Sequence, residues 1–196
     1  MTLPERVDGD GFDDIARSAS WILGERIKFR KGRWSCGTDD MAGATLIAYQ
    51  VRRRWEKWHD RELIDTIESV PGEPVPASVK EIEDGKADDS EWNLSFYVYL
   101  RDPVDARDYT YITSSYGGRR AVDALGAKTR NMRFKRPHAL PVIRLDVRTY
   151  DSADYGIVAA PKLIVDSWAG LDGEPYDDKK NPPLPTPTAL DDDIPF

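Results

Sequence analysis

The stretch WNLSFYVYLR (92–101) alternates with a period of two. Trp92, Leu94, Phe96, Val98 and Leu100 fall on one side, and Asn93, Ser95, Tyr97, Tyr99 and Arg101 on the other. That period is the period of a β-strand with one face in a core, so the first set is expected inward and the second outward. Asp102-Pro103 reads as a turn, and RDYTYITS (107–114) returns as the second strand of a hairpin. Upstream, ERIKFRKGRW (25–34) sets Ile27 and Phe29 against Arg26, Lys28 and Arg30 and runs into a turn at Gly32. ATLIAYQVRRRWEKWHD (44–60) is long for one strand and predicts a bend or bulge near Arg52–Arg54, with RELIDTIES (61–69) pairing back on it. The spacing then changes. In SYGGRRAVDALGAKTRNMRF (115–134), Val122, Leu125, Thr129 and Met132 recur at helical intervals, Arg119, Arg120, Lys128, Arg130 and Arg133 lie off the stripe, and Ser114 or Ser115 supplies a cap. PVIRLDVRTY (141–150) alternates once more, with Ile143, Leu145 and Val147 inward and Arg144, Asp146 and Arg148 outward. YGIVAAPKLIVDSW (155–168) contains Pro161, which suits an edge strand.

Without the first strand, the order is long strand, hairpin pair, helix, hairpin pair. A helix between the third and fourth of five strands is the order of an OB-fold, a small, partly open barrel. The expected class is therefore mainly β with one helix: an OB-like barrel with an extra N-terminal strand and a disordered C-terminal tail. The boundaries follow from composition. Residues 1–20 lack periodicity and form a partly ordered lead-in. Residues 21–168 form the barrel domain, interrupted by an excursion loop at 71–91 rich in Pro, Gly and acid. Residues 169–196 hold prolines at 175, 182, 183, 185, 187 and 195 and read as a linker that stays extended.

The formal net charge is −7, which argues against a nucleic-acid partner until it is divided. Residues 26–58 carry +6 and residues 117–150 carry +7, whereas 59–91 carry −8 and 166–196 carry −6. Two basic blocks are thus masked by acidic connectors, the asymmetry of an electrostatic footprint. The single cysteine, Cys36, excludes an intramolecular disulfide. The opening MTLPERVDGDGF has no signal pattern, and no run approaches a membrane span, so a cytoplasmic protein without membrane contact is expected. His59 and His138 are the only histidines, and there is no phosphate-cradling GK[ST] loop. Nothing points to a metal site at Asp39, Asp40 and Asp102. No catalysis, cofactor or metal is expected.

The sequence closes on LDDDIPF. Asp191, Asp192, Asp193, Ile194, Pro195 and Phe196 resemble the C-terminal tip of bacterial single-stranded-DNA-binding proteins. The resemblance covers these last residues and the character of the linker. The body looks like uncharacterised proteins of phage and prophage recombination cassettes. In the bacterial family the tip docks onto replication and repair enzymes. By that resemblance Phe196 and its α-carboxylate would enter a pocket with a basic rim, Pro195 would pack beside it, and the aspartates would meet a basic ridge. The implied setting is a bacterial host's cytoplasm.

Sequence-tolerant binding of a single strand needs cations for phosphates and rings for bases. Candidates are Tyr97, Tyr99 and Arg101 on the outward side of 92–101, with Tyr111 on its partner. Lys28, Arg30, Arg33 and Trp34 form a second group at a turn, and Arg52, Arg54 and Trp55 a third. Arg119 and Arg120 stand at the helix start, and Arg144 and Arg148 on a later strand. The expected function is a non-catalytic single-stranded-DNA-binding protein that coats the strand and recruits DNA-processing enzymes. The alternative is an adaptor or inhibitor that mimics the tip and binds no DNA. The sequence leaves a homo-oligomer open.

Overall fold

The computed structural model describes residues 21–60, 62–69, 92–153 and 156–177. The expectations for the lead-in 1–20, the loop 71–91 and the tip 191–196 lie outside these residues. The strands are β1 (Glu25–Arg30), β2 (Arg33–Cys36), β3 (Asp39–Asp40), β4 (Thr45–His59), β5 (Glu62–Glu68), β6 (Trp92–Arg101), β7 (Asp108–Thr113), β8 (Leu140–Ser152) and β9 (Gly156–Ala169). One helix, α1 (Tyr116–Arg133), separates β7 from β8. The sheet runs β3-β2-β1-β7-β6-β4-β8-β9, and β5 joins the far half of β4. The sheet curls strongly into a half-barrel, and the described residues are mainly β with one helix, as the order of elements led one to expect. The extra strand β1 pairs in parallel with β7, and all other pairings are antiparallel.

Curling brings the two ends of the sheet together. The Trp34 indole N–H donates to the Asp146 carbonyl of β8 at 2.7 Å. A Cβ on Gly32 would sit 3.1 Å from that of Ala159 on β9. The concave side holds one core, including Ile27, Trp34, Phe96, Val98, Leu100, Tyr111, Ile143 and Leu145, and α1 closes it with Val122 and Leu125. Ser115 caps α1 by accepting from the Gly118 N–H. Pro161 lies in β9, at the end of the sheet path, where a missing N–H costs nothing.

Two boundaries differ from expectation. The bulges in β4 fall between Ala48 and Gln50 and between Lys57 and Trp58, not at Arg52–Arg54. Along β4, β8 reaches only Thr45–Ile47 and β5 only Arg54–His59, so the same edge of β4 serves two neighbours. Beyond residue 168 the chain is not yet linker. It turns at Gly173 (φ +84°), the Tyr176 N–H donates to the Trp168 carbonyl at 2.9 Å, and Ala169 is buried.

Candidate nucleic-acid interface

Lys31 and Gly32 both have positive φ (50° and 77°) and make the two-residue turn between β1 and β2, the geometry that matches strand twist in a tight hairpin. Its register pairs Arg30 with Arg33 and Lys28 with Ser35. That puts Arg26, Lys28, Arg30 and Arg33 on the convex face, while Ile27, Phe29, Trp34 and Cys36 belong to the core side. All four cations are exposed. Among the described residues none of them has an ion-pair or hydrogen-bond partner. Beside them is a hollow of ≈ 310 Å³ lined by Arg26, Lys28, Phe29, Arg30 and Ile112. Like-sided positions on a strand repeat every ~6.8 Å, so Arg26, Lys28 and Arg30 present charge at regular intervals along β1, with Arg33 beside Arg30 across the hairpin.

The convex face of β4, β6 and β7 is different, because the expected stacking platform is covered rather than exposed. Tyr97 and Tyr99 do lie opposite the core side, but they are 3% and 1% exposed. The segment Trp21–Gly24 crosses this face. The Tyr99 hydroxyl donates to the Trp21 carbonyl at 3.0 Å, and Thr110 Oγ1 both accepts from the Leu23 N–H (2.9 Å) and donates to its carbonyl (2.7 Å). Beneath it lies a buried carboxylate. Glu56 accepts from Arg54 Nε (2.7 Å), Ser95 Oγ (2.6 Å), Trp58 Nε1 (3.3 Å) and the Tyr97 hydroxyl. Burial alone would raise the Glu56 pKa, but hydrogen bonds from Ser95, Tyr97 and Arg54, with the charge on Arg54, hold it below the usual carboxylate range. Burial first, then the bond and charge of Glu56, push the Tyr97 phenol the other way. The Trp21 ring has the Arg52 guanidinium 3.8 Å and that of Arg54 4.9 Å from its centroid, and it meets Tyr97 edge-on at 5.4 Å.

Of the sequence candidates, Lys28, Arg30 and Arg33 come together, and Arg26 completes the row. It is legible in the same alternation. Trp34 and Tyr111 are core residues, 4.9 Å apart edge to face, because the hairpin register turns Trp34 inward opposite Phe29. Arg54 is buried against Glu56, and Trp55 is half-buried opposite Leu94 and Ile67. Arg52 pairs with Glu68 (2.8 Å), Arg101 with Asp108 (2.8 Å) and Arg144 with Asp166 (2.9 Å). Arg120 bonds the Tyr116 hydroxyl at 3.0 Å, Arg119 is half-buried, and Arg148 is exposed over the Tyr150 ring at 5.7 Å. The periodicity gave no sign of a separate trough of ≈ 530 Å³ between β4 and α1, lined by Val51, Leu125, Arg130, Arg133 and Phe134.

Among the described residues no three His, Cys, Asp or Glu side chains gather as a metal site, and no helix is long and apolar enough to cross a membrane. No protein-family model, curated protein or solved structure matches the chain.

Proposed function

We propose that the protein binds single-stranded DNA without catalysis, along the convex face of the half-barrel, and recruits replication or repair enzymes through Asp191–Phe196. The row Arg26, Lys28, Arg30 and Arg33 carries this reading. These four exposed cations have no ion-pair partner among the described residues, and an extended polyanion is their natural complement. The barrel order adds to it, since OB-like domains bind oligonucleotides over the second and third strands, here β6 and β7; fold alone would not suffice. A labelled oligo-dT should bind more tightly than a duplex of equal length, with affinity falling as salt rises. Equal binding by the duplex, or no salt dependence, would count against it.

Burial of Tyr97, Tyr99, Trp34 and Tyr111 favours a second reading, an adaptor that binds partners through the tip and no DNA. The tip is common to both. In a pull-down from bacterial lysate the chain should recover DNA-processing enzymes, and deletion of Phe196 should abolish recovery, because binding energy concentrates in a few anchors. Recovery unchanged by the deletion would show that the tip is not a docking signal. An adaptor would keep the pull-down result and fail the oligo-dT titration.

A further inference from the structure

The convex face of β6 and β7 is closed off by a segment with weak attachments of its own. Ile22 and Leu23 are 38% and 41% exposed, so they add little hydrophobic anchorage. The backbone of 21–23 is held by three hydrogen bonds to the Tyr99 and Thr110 side chains rather than by a strand ladder. Its one large anchor is the Trp21 ring, a flat aromatic with two guanidinium groups close over it and a tyrosine ring set against it at a steep angle. We propose that this is a nucleobase-stacking slot occupied by the chain's own indole, and that single-stranded nucleic acid enters it by displacing Trp21. The proposal rests on the single-strand reading above and adds where a base stacks and what competes with it.

Three observations carry it. First, the walls do not depend on the indole. Arg54 and Tyr97 are fixed by Glu56, and Arg52 by Glu68, so removing the ring leaves a preorganised site rather than one that must be built on binding. Second, the chemistry suits a base. Cations over an aromatic face and an aromatic edge are the contacts a nucleobase makes with a sequence-tolerant binder. Third, the segment has a pivot beside the cationic row. Gly24 has φ +64°, and a Cβ there would lie 1.7 Å from the Asp108 carbonyl oxygen. Only glycine lets the chain lie against β7 before β1 begins at Glu25.

Trp21→Ala empties the slot directly. Gly24→Ala lifts the segment from β7 and leaves every slot residue in place. Both full-length variants should bind oligo-dT about fivefold or more tightly than the wild type, since competition by the indole lowers the competent fraction. In the wild type labelled with 5-fluorotryptophan, the Trp21 ¹⁹F resonance, assigned by its loss in Trp21→Phe, should move to a solvent-exposed position when oligo-dT is added. Equal or weaker binding by Trp21→Ala, or an unmoved Trp21 resonance in the saturated wild type, overturns the slot while wild-type binding upholds the single-strand reading. If wild type and both variants all fail to bind, the single-strand reading falls, and the slot falls with it.

Discussion

Replacing Glu56 by alanine should lower the unfolding free energy by about 3–5 kcal/mol, the cost of breaking a buried ion pair from one side. The side chain is buried, as is Arg54. Without the carboxylate, the Arg54 charge stays under Trp21 with no counterion, and the Ser95 and Tyr97 hydroxyls lose their acceptor. Glu56→Gln keeps the shape and isolates the charge. Because the folded-state pKa is depressed, the contribution is complete above the unfolded value of roughly 4.3 and is lost as pH falls through the lower folded value. Thermal denaturation from pH 5 to pH 3 should therefore lower Tm more steeply in the wild type than in Glu56→Gln. Identical acid profiles, or an alanine variant as stable as the wild type, would mean that the network contributes nothing. The same burial changes what Tyr97 and Tyr99 can report. Alanine at either one tests the fold before it tests any ligand.

Neutralising Arg26, Lys28, Arg30 and Arg33 together should remove most of the salt dependence of single-strand binding. Each phosphate contact contributes about 0.7 to the slope of log affinity against log salt on a single strand. Four contacts therefore account for a slope of about 2.8, or roughly a 50-fold change in affinity between about 50 and 200 mM salt. The four side chains are exposed, so the melting temperature should hardly move. A slope equal to that of the wild type, measured with the same oligo-dT, would place the phosphates elsewhere. The trough at Arg130 and Arg133 is then the next surface to substitute.

Local pattern determined a great deal here. Period-two alternation is a property of a strand and its own two faces, so β1, β6, β7 and β8 were legible from spacing, and the core side of β6 with them. The switch to helical spacing marked α1, and Pro161 marked an edge. Alternation in β1 likewise put Lys28 and Arg30 on one face. What alternation cannot express is whether something covers the second face. Tyr97 and Tyr99 share that face as expected, yet they are buried, because the covering segment comes from 78 residues away at Trp21 and 87 at Leu23. Trp34 sits two residues beyond a turn and is nevertheless core, a consequence of the hairpin register and of a bond to Asp146, 112 residues on. The bulges of β4 fall at Ala48–Gln50 in its pairing with β6 and at Lys57–Trp58 in its pairing with β5, which no property of residues 44–60 alone could fix. The sequence by itself determined the longer strands, the helix, their order and the outward side of Arg26, Lys28 and Arg30. Only tertiary structure decided which outward residues stay outward, because a second covering layer is made by contacts between residues far apart in the chain.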